Sequence, residues 1–279
     1  MGNMFKKIVI VGRHDDPRVS EPRDELVLHL EKAGASLLHE DEIADADLVI
    51  AIGGDGTMLY ASRLAREFAT PILGINRGRL GFLADVTPME MIDSVDRVLQ
   101  GEFSTDSRLL LEARLTRKSG TEKVSYALND VVLQRRETGR MVDFETRMDG
   151  RYVNTHSGDG LIVATPTGST AYALSCGGPI IEPHLDAIVV VPVCPHTLTD
   201  RPIVIAADRP VDVTLLERDD TKAEITVDGF SMGSFKPDDK LRISAANKRV
   251  TLVHPPGYDF YGILRSKLFW GRDSRNRET

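Results

Sequence analysis

Cysteine is scarce in this 279-residue sequence: the two present, Cys176 and Cys194, form no C-x-x-C pattern. We therefore expect no structural disulfide and a reducing compartment, the cytoplasm. Long apolar runs are also missing. The run AIVVVPV at residues 187–193 is far shorter than the ~20 residues of a membrane helix. The N-terminal residues lack the apolar stretch and small-residue cleavage site of a signal peptide, so no membrane partner is expected.

An excess of basic charge is missing as well. The sequence has 35 Lys and Arg against 42 Asp and Glu, for a formal net charge of -7. Because nucleic-acid binders usually carry a basic balance or patch, no nucleic-acid partner is expected. A local cluster of Arg135, Arg136 and Arg140 is compatible with binding of a small anion or with an ordinary solvated face. The hydrophobic content of 41% is that of a globular protein.

Several common site motifs are absent too. No Gly-Lys dipeptide exists, which excludes a P-loop lysine, and no G-x-G-x-x-G follows the first apolar segment. The histidines are dispersed and no H-E-x-x-H occurs, so no direct cluster of metal ligands is predicted. Residues 229–233, GFSMG, fit the G-x-S-x-G pattern of hydrolases. The following SFKPDDKLRI predicts a hairpin turn instead of the required helix, which disfavours a hydrolase.

The first part of the chain alternates strand and helix patterns. Apolar segments at residues 6–13, 47–54 and 71–76 predict buried strands. Helical patterns follow them, and these are predicted at residues 21–35, 58–68 and 89–99. Strands connected through helices pair in parallel. We therefore predict an α/β N-terminal domain with a parallel sheet over residues 1–105, completed by about residues 246–279.

The pattern changes near residue 105 to many short strands. The pair Asp149-Gly150 lies between two of them and is a hairpin signal. One helix candidate, at about residues 169–175, interrupts the series. We predict an all-β C-terminal sandwich domain over residues 106–245.

The segment GGDGT, residues 53–57, lies where a predicted strand meets a predicted helix. Glycines in this place let a phosphate approach the backbone, and the helix N-terminus favours an anion. Asp55 is unexpected there because its charge repels phosphate, unless it accepts a proton or reaches the phosphate through a metal ion. In the alternative interpretation the segment is an ordinary turn, in which Asp55 or Thr57 caps the helix.

A second segment, DGLIVATPTGSTAY at residues 159–172, runs from a predicted strand into a turn rich in hydroxyl groups and glycine. Small residues let a ligand lie against the backbone, and hydroxyl groups can bind ribose or phosphate. The alternative is a strand-to-helix turn without a ligand.

Taken together, these segments resemble the bacterial NAD kinase family. Agreement extends in order over nearly the whole chain. The further matching segments are GINRGRLGFL (74–83), YALNDVVL (126–133), VCPHTLTDRPIV (193–204) and LRSKLFWG (264–271). GGDGT alone also resembles segments of phosphofructokinases and lipid kinases, whereas TPTGSTAY is specific.

The resemblance implies transfer of the terminal phosphate of ATP, or in some members of polyphosphate, to the 2′-hydroxyl of the adenosine ribose of NAD. It implies Asp55 as the catalytic residue, with Mg²⁺ as the divalent cation, and a homo-oligomer, a tetramer or dimer. The residues that it implies for binding ATP and NAD are Gly53, Gly54, Gly56, Thr57, Phe82, Asn129, Asp130, Arg140, Asp159, Thr167, Thr170, Ala171, Tyr172 and Ser175.

Two positions depart from the family pattern. Phe230 stands where a Gln or Asn is frequent, and residues 154–157 lack a frequent arginine. His156 could replace that arginine or could be a structural histidine. Two other functions remain open on these grounds: a kinase of a lipid or sugar that shares the GGDGT segment, and a dinucleotide-binding sensor without catalysis.

Overall fold

The computed structural model describes residues 3–13, 15–78, 81–136, 141–217 and 222–269. The chain forms two compact units. The first combines the residues up to 107 with those from 250 onward, and the second comprises residues 108–249.

The first unit contains a six-stranded sheet in the order β2-β1-β3-β4-β18-β5. Its strands are β1 Lys7–Gly12, β2 Ser36–Leu38, β3 Leu48–Ile52, β4 Ile72–Ile75, β5 Ser104–Arg108 and β18 Val250–His254. The pairings from β2 through to β18 are parallel. Every residue of β3 and β4 is buried, as expected of a parallel sheet that is covered on both faces.

The helices start and stop at recognisable signals. They are α1 Pro17–Lys32, α2 Asp55–Ala65, α3 Met91–Leu99, α4 Tyr172–Ser175 and α5 Phe260–Leu268. The predicted starts of α1 and α2 were several residues too late. Asp16 caps α1 by accepting from the Arg18 amide, with Pro17 in the first position, where proline is well tolerated. Gly34, with φ of 80°, follows the end of α1.

The second unit contains two six-stranded antiparallel sheets, in the orders β10-β9-β14-β17-β6-β7 and β13-β12-β11-β8-β15-β16. The first is formed by β6 Leu111–Thr116, β7 Glu122–Ala127, β9 Val142–Met148, β10 Arg151–Gly158, β14 Val211–Leu215 and β17 Lys240–Ala245. The second is formed by β8 Asp130–Arg135, β11 Gly160–Ala164, β12 Ala187–Val193, β13 Ile203–Ala206, β15 Ala223–Val227 and β16 Phe230–Phe235.

Side chains from both of these sheets form one buried core. Phe144 of β9 and Phe235 of β16 stack within it, with ring centroids 6.5 Å apart. This arrangement is a sandwich, and the predicted fold class, a parallel α/β unit followed by an all-β unit, is confirmed.

Two turn predictions have different outcomes. Asp149 and Gly150 both have positive φ, at 51° and 74°, and join β9 to β10 as the hairpin signal predicted. The predicted helix at 169–175 is instead a 3-10 turn, Thr167–Thr170, followed by α4. Ala171 separates the two because its backbone, with ψ of -129°, is not helical.

The G-x-S-x-G segment is not a nucleophile elbow. Residues 230–235 form the strand β16, so Ser231 lies within a strand, and the next element along the chain is the strand β17 instead of a helix. The connection after β16 leads into β17 of the other sheet, so it is a crossover between the two sheets and not the hairpin that the sequence suggested.

Candidate active site

The glycines of GGDGT have different environments in the turn between β3 and α2. A β-carbon on Gly53 would lie 2.1 Å from Thr57 Oγ1, whereas β-carbons on Gly54 or Gly56 would meet no atom within 4 Å. Gly53 is therefore needed for packing. Gly54 and Gly56 leave the backbone open to a ligand at the start of α2, where the first amides of a helix have no partner within it. The Thr57 amide already donates to the Gly54 carbonyl at 2.9 Å.

Asp55 does not cap the helix. Gly54 takes the capping position without a side-chain bond, so the capping alternative for Asp55 is wrong. The carboxylate instead accepts hydrogen bonds from the backbone amides of Phe82, at 3.2 Å, and Leu83, at 3.1 Å. A β-carbon on Gly81 would lie 2.1 Å from Asp55 Oδ1. The turn at 81–83 therefore holds the carboxylate in one orientation.

A cation from the last helix lies beside this turn. Lys267 in the final turn of α5 places its Nζ 5.9 Å from the centroid of the Phe82 ring, within cation–π range. In the sequence, the surrounding segment LRSKLFWG matched the family pattern, but no role was predicted for Lys267. Its position next to Phe82 became visible only through the fold.

In the second unit, the turn at 165–170 packs directly on Asn129. The Thr165 amide donates to the Asn129 carbonyl at 2.9 Å, and a β-carbon on Gly168 would lie 2.0 Å from that same oxygen. The Thr165 hydroxyl donates to the Leu128 carbonyl. The fold thus brings together the two segments that the sequence marked separately, TPTGSTAY and the Asn129-Asp130 pair.

The hydroxyl groups of Thr167, Ser169 and Thr170 in this turn all have hydrogen-bond partners within the protein. Ser169 is buried and accepts from the Ile181 amide, which makes it structural. Thr167 accepts from Arg108 Nη1 at 3.3 Å, and Thr170 donates to the Thr167 carbonyl at 3.1 Å. The residues after this turn are more accessible to solvent. Ala171 is half-buried, and Tyr172 and Ser175 are exposed.

Asp130 carries a perturbed carboxyl group. Asp130 is buried, with 6% of its surface exposed. Burial, followed by the negative charge of Asp228, raises the pKa of Asp130 to about 7, because both disfavour the ionised form. Asp130 can therefore change protonation state near neutral pH.

Asp159 is paired with Arg135. The Arg135 guanidinium makes contacts of 2.9 Å from Nε to Oδ1 and 3.3 Å from Nη2 to Oδ2, a bidentate geometry. Arg136 lies 3.9 Å from a Glu224 oxygen, so both arginines face carboxylates. Arg140, the third member of the predicted cluster, lies outside the described residues.

His156 is part of a buried network. Its Nδ1 lies 2.7 Å from Asp200 Oδ2, with both side chains less than 8% exposed. Its Nε2 lies 3.4 Å from the Thr146 hydroxyl, and Asn154 donates to the other Asp200 oxygen. These contacts favour the structural role for His156. Phe230, by contrast, is exposed at the start of β16.

The described part of the chain has neither a cluster of metal ligands nor a membrane-spanning helix. No group of three or more His, Cys, Asp or Glu side chains is placed to hold a metal ion. No helix is long and apolar enough to cross a membrane. Among these residues Cys176 and Cys194 are free.

Family models match both halves of the chain. Residues 8–103 match the ATP-NAD kinase N-terminal domain, and residues 128–255 match the ATP-NAD kinase C-terminal domain. The NAD kinase of Nitrosococcus oceani is 40% identical over 98% of this chain and 99% of its own length. The NAD kinase of Acinetobacter baylyi is 42% identical over 96% of this chain and 93% of its own.

Solved structures show the same fold. A yeast NADH kinase in complex with NADH has a TM-score of 0.90 and 23% identity, with 98% of this chain and 90% of that chain covered. An NAD kinase from Archaeoglobus fulgidus in complex with ATP has a TM-score of 0.73 and 25% identity, covering 95% and 97%.

Proposed function

Because the chain belongs to the ATP-NAD kinase family, we propose that Asp55 is the catalytic carboxylate with which it phosphorylates NAD. The reaction transfers the terminal phosphate of ATP to the 2′-hydroxyl of the adenosine ribose and yields NADP. The observation that carries the role of Asp55 is its geometry: a fixed carboxylate in the first turn of a helix whose glycines leave the backbone open.

The role of Asp55 follows from the needs of phosphoryl transfer. The transition state is loose, so that the protein mainly positions groups and stabilises charge. Asp55 Oδ1 and Oδ2 each accept one backbone amide, which leaves each oxygen further acceptor capacity. One oxygen then orients the ribose hydroxyl and accepts its proton as the bond to phosphorus forms. ADP leaves with the bridging oxygen.

The donor set also fits a divalent cation. Mg²⁺ is usually held by one or two carboxylates together with phosphate oxygens and water, and Asp55 can supply one such ligand. When bound, Mg²⁺ would neutralise the charge of the phosphates. Gly54 and Gly56 would admit the phosphate tail to the start of α2, where the helix dipole favours an anion.

The second unit supplies the proposed dinucleotide contacts. Asn129 and Asp130 would bind the base and ribose hydroxyls, and Asp159 the nicotinamide end. Residues 170–175 would wrap the dinucleotide, which the exposure of Tyr172 and Ser175 supports. In the first unit, Phe82 would pack on adenine.

We further propose that the protein is a cytoplasmic homo-oligomer, a tetramer or a dimer. The free thiols of Cys176 and Cys194 fit a reducing compartment. Sedimentation of the purified protein would give a single species of two or four chains, and a monomer would contradict the proposal. Cell fractionation would test the compartment.

The function is tested by incubating the protein with NAD and ATP and measuring NADP. Asp55→Asn should lower turnover by about 100-fold or more, the contribution of a positioned acid or base. Asp47→Asn is a matched control, because Asp47 also accepts two backbone amides, from Lys6 and Lys7. It should retain wild-type turnover.

The outcomes separate the candidate functions. NAD binding without ATP consumption would indicate a sensor, and phosphorylation of a lipid or sugar with NAD unchanged would indicate another kinase. Near-normal turnover of Asp55→Asn would remove Asp55 from the mechanism. Replacing ATP with polyphosphate shows which phosphate donor is used.

A further inference from the structure

Asp228 lies in the turn between β15 and β16, distant in sequence from the proposed NAD contacts. It is buried, with φ of 49°, and Gly229 follows with φ of 78°. Asp and Asn adopt this left-handed conformation more readily than other non-glycine residues. The turn therefore presents a carboxylate to the protein interior, where an unpaired charge would be unfavourable.

The carboxylate of Asp228 accepts three consecutive backbone amides of the turn at 128–130. The donors are Leu128 at 2.7 Å, Asn129 at 2.8 Å and Asp130 at 3.1 Å. The Asp228 amide in turn donates to the Asp130 carbonyl at 3.0 Å. Hydrogen bonds to an ionised acceptor are stronger than neutral ones, so this set fixes the backbone of the turn.

The opposite side of the same turn is fixed by Thr165. Its hydroxyl donates to the Leu128 carbonyl at 2.5 Å, and its amide donates to the Asn129 carbonyl at 2.9 Å. The backbone at 128–130 is thus held between two other segments of the unit. The direction of the Asn129 and Asp130 side chains consequently depends on the side chain of Asp228.

We propose that Asp228 is a positioning residue for NAD, fixing the turn from which Asn129 and Asp130 reach the dinucleotide. This inference rests on the proposed role of those two residues as NAD contacts. Asp228 itself has no contact with NAD in this scheme and acts through the backbone of its neighbours.

A second effect of Asp228 is electrostatic. Among the residues that the structure describes, the titratable groups that face Asp130 are Asp228, from the turn after β15, and the thiol of Cys176, which follows α4. Burial raises the pKa of the Cys176 thiol, which keeps it neutral, so the charge that opposes ionisation of Asp130 comes from Asp228. Ribose hydroxyls donate better to an ionised carboxylate. NAD affinity should therefore increase as the pH rises through about 7.

The test is Asp228→Asn, which retains a residue suited to positive φ. An amide oxygen has two lone pairs and no charge, so it cannot replace all three bonds. We expect the Kd for NAD to rise by about tenfold, as for the loss of one strong hydrogen bond. The midpoint of the pH dependence of NAD affinity should move to lower pH, because the repelling charge is gone. The Kd for ATP should be unchanged.

Asp239→Asn is the matched control. Asp239 is also a buried carboxylate that clamps backbone, accepting from the amides of Lys118 and Lys236 and from Arg117 Nη1. Its replacement should lower stability without moving the pH dependence of NAD affinity. A merely structural Asp228 would behave in the same way, and that result would overturn the inference.

Asp130→Asn separates this inference from the proposed function. If Asp130→Asn binds NAD as tightly as the wild type at every pH, the assignment of Asp130 as a contact fails. If Asp130→Asn weakens NAD binding and removes its pH dependence while Asp228→Asn changes neither, only the role of Asp228 fails.

Should Asp228→Asn alone not fold, the comparison is made on the Asp130→Asn background, which no longer carries the cost of ionising a buried carboxyl group at position 130. The double variant should bind NAD more weakly than Asp130→Asn, because the turn is still loosened. Equal affinity of these two proteins would overturn the inference.

Discussion

Gly81 lies directly against the carboxylate of Asp55, and a β-carbon at position 81 would come within 2.1 Å of Asp55 Oδ1. The two residues after Gly81 donate their amides to the same carboxylate. The orientation of Asp55 thus depends on a turn that is far from it in sequence, and this dependence can be tested at a position that carries no functional group.

Gly81→Ala should displace the Asp55 carboxylate and lower the turnover of NAD by about 100-fold, since a misplacement of 1 Å can have that effect. The measurement is the rate of NADP formation at saturating ATP and NAD. In an Asp55→Asn background the same substitution should have little further effect, because residues that act as a unit are not additive. Additive losses would show that Gly81 acts by another route.

The glycines of GGDGT should respond differently to alanine. Gly53→Ala forces a β-carbon against Thr57 Oγ1 and should lower the free energy of unfolding by about 1–3 kcal/mol, as overpacking does. Gly56→Ala has open space and should leave stability within about 1 kcal/mol of the wild type. It should nevertheless weaken ATP binding, measured by calorimetry, because the new methyl group occupies the approach of the phosphates. Unchanged ATP affinity would place the phosphates elsewhere.

Asp130 should make stability depend on pH. Its pKa is raised from 3.8 to about 7 in the folded protein, so between these values the native state binds more protons than the unfolded state. The Asp130 carboxyl group therefore contributes to the free energy of unfolding at low pH. This contribution is lost as the pH rises through about 7, by at most about 4 kcal/mol. The free energy of unfolding of Asp130→Asn and of the wild type can be measured in urea at about pH 5 and about pH 8. The difference between them should favour the variant more at about pH 8 than at about pH 5. An equal difference at both pH values would contradict the shifted pKa.

His156 should matter for stability and not for catalysis. His156→Ala removes a partner of buried Asp200 and should lower the free energy of unfolding by about 3 kcal/mol. The kcat/KM for NAD should stay at the wild-type value in the folded fraction. Asp200→Asn should show a favourable coupling with His156 in a double-mutant cycle. A selective rise in the KM for NAD in His156→Ala would instead indicate a substrate contact.

Removal of divalent metal should abolish activity without unfolding the protein. A single carboxylate such as Asp55 is a weak site by itself, so that Mg²⁺ is expected to enter together with the nucleotide. EDTA should therefore stop NADP formation, added Mg²⁺ should restore it, and the Tm of the nucleotide-free protein should not change. A lower Tm in EDTA would indicate a resident structural ion.

Local patterns in the sequence were sufficient for the fold class and for the segments that carry the site. For example, β3 is uninterruptedly apolar and is followed by glycines. This pattern predicts a buried parallel strand that is followed by a turn and a helix. The Asp149-Gly150 pair predicts a hairpin because positive φ is a property of those residues themselves. Information of this kind lies within a few neighbouring residues, so it can be obtained without the tertiary structure.

The tertiary structure alone decided which distant groups meet. Asp55 with the turn at 81–83, Asp228 with the turn at 128–130, and Arg135 with Asp159 are contacts between segments that only the packing of strands brings together. Burial, too, is a property of the whole unit. Because the perturbed carboxyl of Asp130 depends on both its burial and the charge of Asp228, no local pattern could have predicted it.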